Sequence, residues 1–144
     1  MVVVTNNNVR NATFKNVRNI LSGNITDIGT RVYGSYPLKN ITLPLIVVES
    51  PLKTNEEEST TLNQANSDIV VVNITVYSKA IEKANRYMDS IDSIISTSQS
   101  IFTSDGLYIS QDGLEDIDED TFIDLNKQRS HSKTSAVTFM RDRN

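Results

Sequence analysis

The stretch Asp68-Ile69-Val70-Val71-Val72-Asn73-Ile74-Thr75-Val76-Tyr77-Ser78, running straight into Lys79-Ala80-Ile81-Glu82-Lys83-Ala84, decides the fold class. Up to Ser78 the residues alternate with a period of two. Val70, Val72, Ile74 and Val76 share one face, and Ile69, Val71, Asn73, Thr75 and Tyr77 share the other. Both faces are at least partly apolar, so the segment reads as a central strand. From Lys79 the period becomes helical: Ile81, Ala84, Met88, Ile91 and Ile95 recur at steps of three and four, with Ala80, Tyr87 and Ile94 widening the stripe. A strand followed by a long amphipathic helix is therefore the centre of the design.

Towards the N-terminus, Leu45-Ile46-Val47-Val48-Glu49-Ser50 is bracketed by Pro44 and Pro51 and predicts a second strand. A shorter strand is expected within Thr30 to Tyr36, closed by Pro37. Phe14, Val17, Ile20 and Leu21 place a helix over Asn11 to Ser22, with an N-cap from the polar run Thr5 to Asn8 and a left-handed C-terminal cap at Gly23. Between Leu52 and Asn66 the apolar periodicity disappears. That stretch, which contains Lys53, Glu56, Glu57 and Glu58, reads as an exposed, mobile polar loop.

Towards the C-terminus, the Ser- and Thr-rich stretch Ser96 to Ser104 is expected to fray, and Leu107 to Gln111 to form a strand after Gly106. An acidic segment, Asp112 to Asp124, precedes a last strand over Ser132 to Met140. The expected architecture is one α+β domain over 1–144, a two-layer fold with a mostly antiparallel sheet and two amphipathic helices packed on one face. With no third helix to cover the second sheet face, another subunit is the expected cover.

Composition bounds the chemistry. A chain of 144 residues, 38% hydrophobic and 22% charged, suits one globular domain with a modest core. Fourteen basic residues against 18 acidic ones leave a formal charge of -4, without the cationic field that dominates nucleic-acid binding. With no cysteine and a single histidine, His131, neither a disulfide framework nor a Cys- or multi-His-ligated metal is available. The N-terminal apolar run is only three residues long and no stretch approaches membrane-spanning length, so the expectation is a chain made in the cytoplasm with no membrane partner.

Several constellations bear on chemistry. Asp116, Asp118 and Asp120 alternate like the start of a calcium loop, but Thr121 and Lys127 stand where that loop needs glycine and glutamate. They read as part of a solvated acidic loop. His131 lies among Arg129, Ser130, Ser132 and Lys133 with no identifiable catalytic partner, and reads as a polar residue at a strand start. Asp112, Asp116 and Lys133 fit a two-metal nuclease only as loosely as most acidic domains would. The four Asn-x-Thr triplets beginning at Asn11, Asn24, Asn40 and Asn73 match a glycosylation acceptor, yet Asn73 sits inside the best strand. No Gly-rich phosphate loop is found. No catalytic residue, cofactor or metal site is expected, and the chain reads as non-enzymatic.

The whole-chain pattern resembles the tail-terminator, or tail-completion, proteins of long-tailed phages and related viruses. The resemblance rests on the helix Phe14-Lys15-Asn16-Val17-Arg18-Asn19-Ile20-Leu21, on Pro44 before Leu45-Ile46-Val47-Val48, and on the strand Ile69 to Tyr77 that runs into the helix Lys79 to Ile95. It ends with the basic, His-containing approach Lys127 to Lys133 to the strand Ala136 to Met140. It covers nearly the full length. It implies a homo-oligomeric ring, hexameric in the family, that caps the tail tube, stops tail growth and presents a docking surface to a head connector or neck protein. Its place would be the head–tail junction of a virion assembled in the host cytoplasm.

On that reading Lys53, Glu56, Glu57 and Glu58 are candidate contacts to the tail or to a neighbouring subunit. Asp116, Asp118 and Asp120 are candidate acidic residues of a lumen through which DNA passes without sticking. Another neck or connector component is the alternative reading, and a small metal-dependent hydrolase or nuclease the more distant one.

Overall fold

The computed structural model describes residues 2–58, 65–123, 127 and 129–142. The central strand and the long helix are where the periodicity puts them. The strand, β4, runs from Ala65 to Ser78, and helix α2 from Ile81 to Thr97. The even-numbered face of β4 carries the core: Val70, Val72, Ile74 and Val76 are each 0% exposed. Ala84, Tyr87, Met88, Ile91 and Ile95 of α2 are buried against it in one cluster.

Helix α1 spans Val9–Asn24, longer at both ends than the periodic segment predicts. Asn8 occupies the N-cap position without a side-chain cap; its Oδ1 accepts instead from the Thr5 N–H at 2.7 Å. At the other end Gly23 stays helical, and Asn24 donates through Nδ2 to the Ile20 carbonyl at 2.7 Å. That bond satisfies a carbonyl that the expected left-handed glycine cap would otherwise serve.

Strand β1 is only Val32–Tyr33 and pairs in parallel with β2, Leu45–Val48. Gly34 ends it where the Phe14 ring crosses: a Cβ there would stand 2.8 Å from that ring. β2 pairs antiparallel with β4, Ile46 facing Val76 and Val48 facing Ile74.

Three expectations are corrected. The segment expected as a mobile loop over 52–66 contains a strand, β3 (Leu52–Glu58), antiparallel to the first half of β4, while residues 59–64 lie outside the described set. β4 is long enough to pair with β2 at one end and β3 at the other, and backbone bonding to it needs no apolar alternation in β3. The tail of α2 does not fray. After Ser98 it forms a short helix α3, Gln99–Ser104, because Phe102 is fully buried against Phe139, with ring centroids 4.9 Å apart.

The acidic segment is not a loop either. It is most of strand β5, Tyr108–Ile123, which pairs antiparallel with β6, Arg129–Asp142, and Asp124 lies outside the described residues. The six-stranded sheet runs β1-β2-β4-β6-β5, with β3 also on β4. α1 packs over β1 and β2, α2 over β4, β5 and β6, and α3 on β5. The result is the two-layer α+β arrangement, with a third, short helix added to the helical layer.

Candidate assembly surface

Among the described residues no helix packs on the odd-numbered face of the sheet, although Leu45 and Val47 of β2 and Thr75 of β4 are buried at one side of it. Strand register places its residues in rows. Tyr108, Met140 and Ile69 stand side by side across β5, β6 and β4, and Thr138, Val71 and Leu52 form the next row across β6, β4 and β3. Leu52 is 67% exposed, Tyr108 49% and Met140 37%, so these rows make an apolar strip open to solvent.

At the other end of the same face the surface is aromatic and acidic. Tyr77 packs edge-on against Tyr36, with centroids 4.7 Å apart, and against Phe122, 5.8 Å apart. Asp120 and Ser132 complete the lining of a shallow notch of about 270 Å³. Burial, and then the charge of Glu49, hold the Tyr77 phenol above its usual range.

A bulge in β5 decides where the acidic residues go. Asp116 faces Ser135, and the next pair is Asp118 with Thr134, so Ile117 is the extra residue and the alternation is reset. Asp116 therefore lies on the helix side of the sheet, while Asp118 and Asp120 lie on the open side. The three candidate lumen residues are thus split across two faces of the sheet.

Asp116 is also engaged. Ser135 donates to its Oδ1 at 2.6 Å and the Lys133 ammonium lies 3.3 Å from Oδ2. The serine hydrogen bond foremost, with help from Lys133, holds its carboxyl below the usual aspartate range. Asp118 and Asp120 are exposed and accept from the N–H groups of Glu119 and Thr121.

Lys53 sits opposite Val70, hence on the helix face, and its ammonium is 3.6 Å from the buried Asp68 carboxylate. Arg141 reaches the same carboxylate at 3.2 Å and also donates to Asn6. Lys53 is thus part of an internal ion cluster rather than a free contact residue, and periodicity alone gave no sign of its partner. The backbone of Glu56, Glu57 and Glu58 is paired opposite Ser67, Asn66 and Ala65.

His131 lies within β6, with its Nδ1 3.1 Å from the Thr121 hydroxyl. Of the loose nuclease set, Lys133 and Asp116 meet as an ion pair. Among the described residues no three potential metal ligands converge, and no helix is long and apolar enough to cross a membrane.

Comparison with known proteins adds little. No family model matches the chain, and no curated protein does. Among solved structures it is similar to a chain of the virion of a native gene transfer agent particle, at 11% identity and a TM-score of 0.47, covering 85% of this chain and 83% of that one. A superposition so loose carries no role and no residue across.

Proposed function

We propose that the chain is a non-enzymatic structural protein of a virion, which assembles with its own copies into a ring that caps a tail tube, ends its growth and offers the opposite surface to a neck protein. The observation that supports assembly is the open sheet face. β4 presents Ile69, Val71 and Tyr77 there, β3 adds Leu52 and β6 adds Met140, and among the described residues no second layer lies over them. An apolar strip on a small domain is stabilised when a partner removes it from water, at roughly 25 cal/mol per Å².

The tail-terminator role rests on the whole-chain resemblance set out above. Net acidity is compatible with a ring around a DNA path, because like charge keeps the duplex from adhering. The test is to add purified chain to polymerising tail-tube protein and to image the products. Tubes should stop at shorter lengths and carry a decorated end. Tubes of unchanged length with bare ends would refute termination, and binding of the chain to a neck protein instead would make it a connector.

A further inference from the structure

Two elements of this chain each carry charge of one sign only. Helix α1 carries Arg10, Lys15 and Arg18 and not one acidic residue. It packs over β1 and β2, at one end of the strand order. Strand β5, at the other end, carries Glu115, Asp116, Asp118, Glu119 and Asp120 and no basic residue. Along this acidic run β5 also exposes Ile117, at 53%, and Ile123, at 74%. Among the described residues its outer edge pairs with no strand.

We propose that the aromatic and acidic end of the open face, built by Asp118, Asp120, Phe122, Tyr77 and Tyr36, docks the basic α1 of a second copy of this chain. Three observations favour that occupant. The charges are complementary: each surface has one sign only within its element, and both Arg10 and Lys15 project into solvent. The notch matches a cation, since three aromatic rings stand beside the Asp120 carboxylate, and a guanidinium or ammonium gains from ring faces and carboxylate together.

The third is geometry. Two different surfaces, one on the helical layer and one on the open face of the sheet, give a head-to-tail contact, which propagates from copy to copy and closes into a ring if the rotation permits. Asp116 is paired with Lys133 and hydrogen-bonded by Ser135 on the helix side, whereas Asp118 and Asp120 lie on the open face beside the notch. This inference rests on the reading of the chain as a ring-forming protein and supplies the contact that such a ring would use.

Light scattering on four proteins tests it: wild type, Asp118→Lys with Asp120→Lys, Arg10→Glu with Lys15→Glu, and the chain with all four changes. All four positions are exposed, and circular dichroism melting checks that each variant folds. Wild type should be oligomeric, each double variant should fall to monomer mass, and the fourfold variant, in which both surfaces are reversed together, should regain the oligomer. Double variants that keep the wild-type mass, or a fourfold variant that stays monomeric, would overturn this contact while leaving assembly itself standing. A wild type that is monomeric at every concentration and in the presence of tubes would overturn both.

Discussion

The two faces of β4 are made from the same eleven-residue stretch and meet different fates. On the even face, Val70, Val72, Ile74 and Val76 are sealed beneath α1 and α2. On the odd face Thr75 is buried beside Leu45 and Val47 of β2, but Ile69, Val71 and Tyr77 are only half-buried, and their neighbours Leu52 and Met140 are open. Similar β-branched residues thus serve a core on one side and a surface on the other. What separates them is the supply of helices, which among the described residues lie on one side only. Fold stability should accordingly reside in the even face, and assembly in the odd one.

The largest expected effect breaks the buried ion cluster on the core side. Asp68→Ala leaves Lys53 and Arg141 without their shared carboxylate, and loss of a buried ionic partner typically costs about 3–5 kcal/mol. Urea denaturation should show it as a fall in midpoint. An unchanged midpoint would mean that the cluster is not closed in solution. Ile74→Ala, in the middle of the even face, should cost about 2–5 kcal/mol by the same measurement, through lost burial and the cavity left behind.

Val71→Ala on the odd face sharpens the contrast. It should cost the isolated chain only about 0.5–1 kcal/mol, because Val71 is half-buried. It should nevertheless raise the concentration at which the chain assembles, as read by sedimentation. Equal losses of stability at Ile74 and Val71 would show that the odd face is covered within the monomer.

The smallest effect concerns the β5–β6 pairing. In Ser135→Ala the Asp116 carboxyl loses its strongest hydrogen bond and should titrate at higher pH, which carbon-detected magnetic resonance can follow. The sign of the linkage is set by the depressed folded value. In wild type, the contribution of Asp116 to stability is fully present above its unfolded value of about 3.9 and is lost as pH falls through the lower folded one. No upward shift in the variant would place the control of Asp116 with Lys133.

Much of this division was legible in the residues themselves. β4 and α2 follow their periods closely, and the apolar content of both β4 faces announced a surface in need of cover. The polar strands were not legible. In β3, Lys53-Thr54-Asn55-Glu56-Glu57-Glu58 has no apolar alternation, because it pairs through its backbone along a partner that extends beyond β2. In β5 the run of carboxylates resembles a solvated loop, yet Ser135, Thr134, Lys133 and Ser132 of β6 stand opposite them.

The contact residues suffered from the same gap between composition and register. One extra residue, Ile117, moves Asp118 and Asp120 to the face opposite Asp116, and nothing in the local spacing marks a bulge. Tyr36 reaches Tyr77 from the segment after β1, a tertiary contact that no periodicity encodes. Conversely Lys53, in a polar stretch with no apolar period, is drawn to Asp68 because β3 lies next to β4.

The most direct test of the central claim, that the uncovered face belongs to an assembly, is the mass of the purified chain in solution by light scattering, first alone and then with tail-tube protein. A closed oligomer, or a monomer that becomes a ring on tube ends, is the predicted result. A chain that remains monomeric at every concentration and ignores the tubes would contradict it.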